Sequence, residues 1–416
     1  MTTQATLRSP TAAPASSAAA RPAPPACRAD HRFLVLTELF LPTKGGTAVW
    51  FDAVYRLLGG RGTHILTARV PGAHAHDARH PNTIHRLDLE RWARVPLGAL
   101  RAYARLLAAA WRVSARHRFE AVHAGRVLPE GLVGLTVARA RRLPLVIYAH
   151  GEEITAWRRH RKRRVAMARA YRGADAVIAN SAFTRERLRE LGVDTARIHL
   201  IHPGVDAARF APGPREPALL EAAGIPAEAR LVLSVGRLSR RKGFDQVIRA
   251  LPALLARGLD VHHAIVGIGE DRAHLERVAR EAGVADRVHL LGHVPPEDLP
   301  RWYRACDVFA MPNRPVGADA EGFGMVYAEA AACARPAVAG RHGGTGDAVL
   351  DGVTGLRVDG ADAGAVAAAL ARLLENGDLA ARMGRAGRER VERELAWERV
   401  AERTAALHRS LTETGA

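Results

Sequence analysis

Residues 31–58 read HRFLVLTELFLPTKGGTAVWFDAVYRLL, and they set the fold. Phe33-Leu-Val-Leu36 is an apolar run of strand length, Lys44-Gly45-Gly46 is a turn, and Thr47 to Leu58 has the apolar spacing of a helix. A strand that feeds a glycine turn and then a helix opens a parallel sheet, because parallel neighbours need a crossover where antiparallel ones need only a hairpin. Further apolar runs follow at 63–67, 121–124, 143–149, 174–179 and 198–201, mostly separated by Ala/Leu/Arg helical segments. After Pro203-Gly204 and the Pro-rich connector 211–217 the alternation restarts, with runs at 231–235, 261–266, 288–291, 308–311, 337–339 and 355–358. This pattern predicts an α/β chain of two doubly wound domains joined near 203–228.

The expected spans are an Ala/Pro-rich tail without a fold at 1–30, a first domain at 31–205, a second at 206–390, and a C-terminal helical segment, 391–416, that packs back on the first domain. A length of 416 residues fits two cores better than one. The formal charge of +18 is lopsided: residues 1–210 hold 34 Lys+Arg against 15 Asp+Glu, and the remainder 27 against 28. The first half therefore faces or tolerates something anionic. Cys27, Cys306 and Cys333 are spaced for neither a metal cage nor a disulfide framework, which fits a reducing cytoplasm. The tail lacks the apolar core of a secretory signal, and no run of about 18 apolar residues occurs, so any membrane contact is expected to be peripheral.

Ligands of such sheets sit at the carboxyl ends of strands, so the residues that follow each run carry the chemistry. After 231–235 stands GRLSRRKGFD: Gly236 and Gly243 admit close backbone approach, and Arg237 and Lys242 suit a diphosphate, one as a planar fork and one as a point charge. A plain cationic loop is the competing reading. After 308–311 stands EGFGMVYAEA, with Glu321 before Gly322-Phe323-Gly324 and Glu329 eight residues on, in a helix expected to begin near Phe323. Amides of Gly324, Met325 and Val326 at that helix start favour anions and hydroxyls, Glu321 accepts from hydroxyls, and Glu329 suits a vicinal diol. A capped surface helix with an acidic first turn is the bland alternative.

The glycines of GIGED, from Gly267, suit a phosphate-proximal loop, although a tight turn explains them as well. Gly45 and Gly46 permit the same approach from the first domain, without the spacing of a dinucleotide fingerprint or P-loop, which disfavours a bound dinucleotide cofactor or an NTPase. His150, in HGEEI, stands at a strand end beside Glu152 and Glu153 and reads equally as structural or functional. No Asp-x-Asp occurs and the histidines are scattered, so no metal ligands for a nucleotide diphosphate stand out.

These motifs together resemble the retaining glycosyltransferases of family 4 with the GT-B architecture, from about His31 to the C-terminus, which implies two Rossmann-like doubly wound domains with a cleft between them that holds the active site. The pair Glu321/Glu329 is the most specific element. It is supported by GRLSRRKG, HPGVDAARF, GIGED, LGHV, RHGGTGDAV and DGVTGLRV. The resemblance implies that Arg237 and Lys242 bind the donor diphosphate, Glu329 the ribose, and Glu321 with the amides around Phe323 to Met325 the transferred sugar. It further implies that Gly45 and Gly46 approach the diphosphate or acceptor, that His150 contacts the sugar near its anomeric centre, and that His293 and Val294 hold the base. Gly346-Asp347 and Ala334 stand where Pro-Glu and Gly are usual in the family.

The implied activity is metal-independent transfer of a hexose from a nucleotide diphosphate sugar, with no cofactor. The look of HGEEI with EGFGMVYAEAAACARPAVAG favours GDP-mannose as donor and a lipid-linked or saccharide acceptor, while users of UDP-glucose, UDP-galactose and UDP-N-acetylglucosamine share most motifs. A nucleotide-sugar 2-epimerase of the same architecture is an alternative. A nucleic-acid-binding protein is disfavoured, because the basic half lacks a stacking platform. Two basic features suit an anionic membrane surface. A helical reading of 96–119 puts Leu97, Leu100, Ala104, Leu107 and Trp111 on one stripe, with Arg101, Arg105, Arg112 and Arg116 beside it, and a core-packed helix with solvated arginines is the competing reading of that segment. The run WRRHRKRR (157–164) is read as one helix start with cations on every side, or else as a solvated helix end.

Overall fold

The computed structural model describes residues 31–89, 96–157 and 160–413, so the tail 1–30, with Cys27, lies outside the described residues, as do Arg158 and Arg159. The first sheet comprises β1 (Phe33–Leu36), β2 (His64–Ala68), β3 (Thr83–Leu87), β4 (Ala121–Ala124), β5 (Leu145–Ala149), β6 (Ala176–Ala179) and β7 (Ile198–Leu200). Its strands are parallel, in the order β3-β2-β1-β4-β5-β6-β7. The second comprises β8 (Arg230–Val235), β9 (Val261–Val266), β10 (Val288–Gly292), β11 (Val308–Met311), β12 (Ala337–Gly340) and β13 (Gly355–Val358), also parallel, in the order β10-β9-β8-β11-β12-β13. Both are doubly wound Rossmann-like sheets. Each reverses its winding beside its first strand, between β1 and β4 and between β8 and β11, and such reversals leave a crevice at the carboxyl edge.

The strand without a counterpart in the sequence reading is β3. Its sequence, TIHRL, has no apolar run, because it is a half-buried edge strand whose Arg86 turns to Asp77, at 2.7 Å, and to the Leu41 carbonyl. The two faces of the first sheet are covered by separate apolar clusters. One of them joins Phe33, Trp50, Phe51 and Tyr55 to Trp397, Val400, Ala401 and Leu407 of the helix Trp397–Glu413. The chain thus crosses between the sheets a second time. The two crossings touch where Val205 N–H donates to the Leu395 carbonyl at 2.8 Å and Gly204 lies flat on Trp397, whose ring atom Cε3 stands 2.6 Å from where a Cβ would be.

Two basic features differ from their sequence reading. In the helix Pro96–Arg116 the core face is Leu106, Ala109 and Ala110, with Leu107 packed partly against it. That face is rotated from the expected stripe, which leaves Leu100 67% and Trp111 45% exposed among Arg101, Arg105 and Arg112; the side chain of Leu97 is outside the described residues. The run 157–164 is not one helix start: a helix ends at Trp157, His160 is extended, and a second begins at Arg161. Arg161 to Arg164 therefore belong to the second helix alone. Arg161 to Arg164 stand exposed on the first turn of the second helix, and Arg163 covers the Trp157 ring at 5.5 Å.

Histidines scattered in sequence gather in space. Asp52 accepts from Arg56 Nε at 2.6 Å and His76 Nε2 at 2.7 Å, with His80 Nε2 at 3.3 Å. Asn82 N–H donates to His80 Nδ1, which puts the ring proton of His80 on Nε2, facing Asp52, so the cluster is an ion network. Burial opposes ionisation of Asp52, but His76, His80 and Arg56 outweigh it and hold the carboxyl below its ordinary 3.8. The bond to Asp52 raises the His76 imidazole above its ordinary 6.5. The stabilisation from Asp52 is present above 3.8 and lost as pH falls through its depressed value; that from His76 is present below 6.5 and lost as pH rises through its raised value. Asp52→Asn is therefore expected to cost about 3 kcal/mol, most strongly between about pH 4 and 6.5. Thermal unfolding of both proteins across pH 4–8 checks this, and a pH-independent difference contradicts it.

Candidate active site

The carboxyl edges of the two sheets face one another. A cavity of about 1050 Å³ lies over β1–β3 and β8–β10, walled by Glu38, Thr43, Lys44, Gly45 and Arg69 from the first domain and by Gly236, Arg237, Gly267, Glu270 and His293 from the second. Gly45, at φ 134°, is the residue before the helix Gly46–Leu58. A Cβ on Gly46 would stand 2.8 Å from Met325 Sδ, and Met325 opens the helix Met325–Ala332. Two helix N-termini therefore converge across the cleft, and their partial positive charge favours an anion between them.

Glu321 lies beneath that point. Its Oε2 accepts from Lys242 Nζ at 2.6 Å and from Arg241 Nη1 at 2.5 Å, and Arg241 also holds Asp319 at 3.0 Å. Burial alone would raise the Glu321 carboxyl, but Lys242 and Arg241 hold it down to about 2. The carboxylate is ionised throughout the physiological range. The sequence does not single out Arg241, because "SRRK" gives no hint which arginine turns inward. The short 3-10 turn Arg240–Lys242 and Gly243, at φ 74°, place residues 241 and 242 side by side. A side chain at 243 would meet the Pro312 carbonyl, 2.0 Å from a Cβ. Arg237, by contrast, stands apart from Lys242: it is 74% exposed on the cavity wall and paired with Glu270 at 3.1 Å.

The helix after Glu321 starts at Met325, two residues later than expected, because Gly324 at φ 90° cannot begin it. Met325 and Val326 occupy its first turn, and Glu329 lies one turn in. Glu329 Oε2 accepts from Tyr303 Oη at 2.7 Å, and burial pushes its carboxyl up. Phe323 is buried and stacks on His202 at 5.3 Å between ring centroids. The glycines of GIGED carry a structural duty: a Cβ on Gly267 would lie 1.8 Å from the Gly236 carbonyl oxygen. His293 borders the cavity, while Val294 packs partly on the second core.

His150 closes the site from the first domain. Its Nε2 is 2.8 Å from the Gly125 carbonyl, which assigns the ring proton there, and its main-chain N–H donates to Glu153 at 2.9 Å. Trp50 and Phe51 meet the ring edge-on, at 5.7 and 6.1 Å. Burial keeps the imidazole below its ordinary pKa and therefore neutral at pH 7. Its carbonyl accepts from Asn180 Nδ2 at 2.9 Å and lies 2.2 Å from where a Cβ on Gly322 would be, so the domains touch through Gly322. Asp347 adds a second tie, accepting from Ala182 N–H at the start of a first-domain helix. Ala334, where glycine is usual, takes φ 56°, the left-handed conformation that explains the usual residue.

Together the arrangement offers half-buried cations and two helix starts for an anion, a carboxylate and amides for hydroxyls, and a neutral imidazole beside them. Residues 44–209 match the model of Glycosyltransferase Family 4, and residues 216–390 that of Glycosyl transferases group 1. A GDP-mannose-dependent alpha-(1-6)-phosphatidylinositol monomannoside mannosyltransferase of Mycolicibacterium smegmatis is 37% identical over 360 residues, covering 85% of this chain and 92% of that one. Its namesake in Mycobacterium tuberculosis is 34% identical over 390 residues, 90% and 97% of the two chains. Among solved structures, Anabaena HepE with UDP-glucose superposes with a TM-score of 0.75 at 21% identity, over 91% of this chain and 99% of that one. Sucrose-phosphate synthase from Thermosynechococcus elongatus gives 0.75 at 24%, over 92% and 100%. These last two show the shared GT-B fold.

Proposed function

Because the chain belongs to the group 1, family 4 glycosyltransferases, we propose that it moves a mannosyl residue from GDP-mannose to a phosphatidylinositol mannoside or a related lipid-linked acceptor, with retention and without metal. The observation that carries this reading is the 37% identity, over 85% of the chain, to an enzyme named for that donor and acceptor. The site fits the chemistry. The acceptor hydroxyl oxygen bonds to the anomeric carbon as the bond to the diphosphate oxygen breaks; the electron pair stays on the diphosphate, which also takes the hydroxyl proton. Lys242, Arg241 and the two helix N-termini offset the charge that develops on that oxygen. Arrival of the diphosphate draws Lys242 and Arg241 partly from Glu321, whose carboxylate is then available to the sugar hydroxyls. Arg237 and Gly236 border the diphosphate, Gly45 and Gly46 close over it, His293 and Val294 hold the base, Glu329 with Tyr303 takes the ribose, and His150 lies against the sugar.

A panel of nucleotide sugars, read as released nucleotide and as donor-dependent thermal stabilisation, tests the reading. GDP-mannose is expected to give the largest response. A larger response to a UDP sugar assigns another donor, and an epimer formed without acceptor assigns an isomerase.

The acceptor class brings the membrane into the reading. No helix among the described residues is long and apolar enough to cross a bilayer. Exposed Leu100, Trp111 and Val165 lie on the helices that carry Arg101, Arg105 and Arg112 and Arg161 to Arg163, an apolar and cationic surface suited to anionic headgroups. Replacing the six cations of 158–164 by glutamine is expected to reduce flotation with phosphatidylglycerol vesicles at least tenfold and to spare donor binding. Unchanged flotation rejects the role.

A further inference from the structure

A second cavity, of about 910 Å³, opens at the other end of the cleft, beyond the contact of Gly322 with His150. Its first-domain wall carries Ile154, Phe183, Arg164 and Arg187, and the opposite wall is the loop that ends in Asp319 and Ala320, immediately before Glu321. The two cavities therefore lie at different ends of the cleft, and the second reaches Ala320, the residue before Glu321. The first is over β8–β10, where nucleotide and diphosphate would lie, and the second is over β5–β6 and β11–β12.

The charges of the second cavity are poorly matched. Asp319 is engaged by Arg241, and Glu190 by Arg187 Nη2 at 2.7 Å, so both acids are occupied. Arg187 Nε is buried without a hydrogen-bond partner. Arg164 has no acidic partner among the described residues, although it lines the cavity. An unpaired guanidinium donor at a polar cavity is left for an anion, and a guanidinium fork suits a phosphate oxygen pair.

We propose that this cavity seats the anionic group of the acceptor, a phosphodiester attached to a polyol headgroup, with Arg164 and Arg187 as its ligands and Ile154 and Phe183 against its apolar parts. The donor diphosphate already has Lys242 and Arg241, with Lys242 against Gly236 of the first cavity, so an anion site in the second cavity is left for the acceptor. The proposal rests on the reading of the acceptor as lipid-linked and phosphate-bearing, and it names the residues that would select it. It also separates Arg164 from the membrane-facing cations 161–163: one binds inside the cleft, the others outside.

The test uses deacylated phosphatidylinositol monomannoside, a soluble phosphodiester, and the corresponding phosphate-free inositol mannoside, with no bilayer present. Calorimetric binding and transfer from GDP-mannose are measured for the full chain, for Arg164→Gln and for Arg164→Gln/Arg187→Gln. The wild type is expected to prefer the phosphodiester, and the double variant to lose at least tenfold in the ratio of the two kcat/KM values and in phosphodiester affinity. Arg164→Gln, a surface change, is expected to show a partial loss in a fully folded protein. An unchanged ratio overturns the proposal, as does failure of the wild type to bind the phosphodiester. If the wild type binds it through these arginines but transfers to neither compound, the acceptor site stands and the proposed activity falls.

Discussion

Glu321→Ala is expected to lower sugar transfer by about a thousandfold while the chain stays folded. A carboxylate that positions sugar hydroxyls in a closed site acts on the scale of a single transition-state hydrogen-bond partner, about 10²–10³ in rate. Its loss also leaves Lys242 and Arg241, at 2.6 and 2.5 Å, without their shared anion. Both cations then bind a diphosphate more freely, so the KM for donor is expected to hold or fall while kcat collapses. That split separates the site from a merely structural ion pair, whose loss lowers the unfolding temperature and leaves kcat of the folded fraction intact. Glu321→Gln keeps the shape and one hydrogen-bond acceptor and is expected to fall between the two. Steady-state kinetics with thermal unfolding of the same samples decide it, and a fully active Glu321→Ala protein removes the residue from the site.

The second large effect concerns one methyl group. Gly322→Ala puts a Cβ 2.2 Å from the His150 carbonyl oxygen, and that oxygen is fixed by Asn180. The collision is between domains, so the folded domains survive and only their approach is blocked. Transfer is expected to fall about a hundredfold, since an ångström of misplacement at a reacting centre costs that much. Donor binding to the second domain is expected to change little. Small-angle scattering is expected to report a more open molecule. An active and equally compact variant contradicts the closure contact.

Much of the fold was legible because strands buried on both faces appear as apolar runs, as Phe33–Leu36 and Val261–Val266 do. An edge strand such as TIHRL shows no such run, and its place beside β2 is a matter of register rather than composition. In the site, glycines marked the close approaches, because only they fit where Gly267 meets Gly236. Which cation turns inward was not legible: in GRLSRRKG a turn of three residues and one left-handed glycine select Arg241 and Lys242 and send Arg237 to Glu270. Helix rotation was the other gap. In the helix Pro96–Arg116 Ala109 and Ala110 reach the core in place of Trp111, since small residues allow the closer approach to the sheet.

The helix Trp397–Glu413 has a consequence for biosynthesis. Its Trp397, Val400 and Ala401 complete the apolar cluster under β1, around Phe33, Trp50 and Tyr55. A ribosome therefore makes the first domain first but finishes its core last, after the whole second domain has emerged. Until then one face of the leading sheet lacks its cover, and that face is the surface a chaperone would meet on the nascent chain.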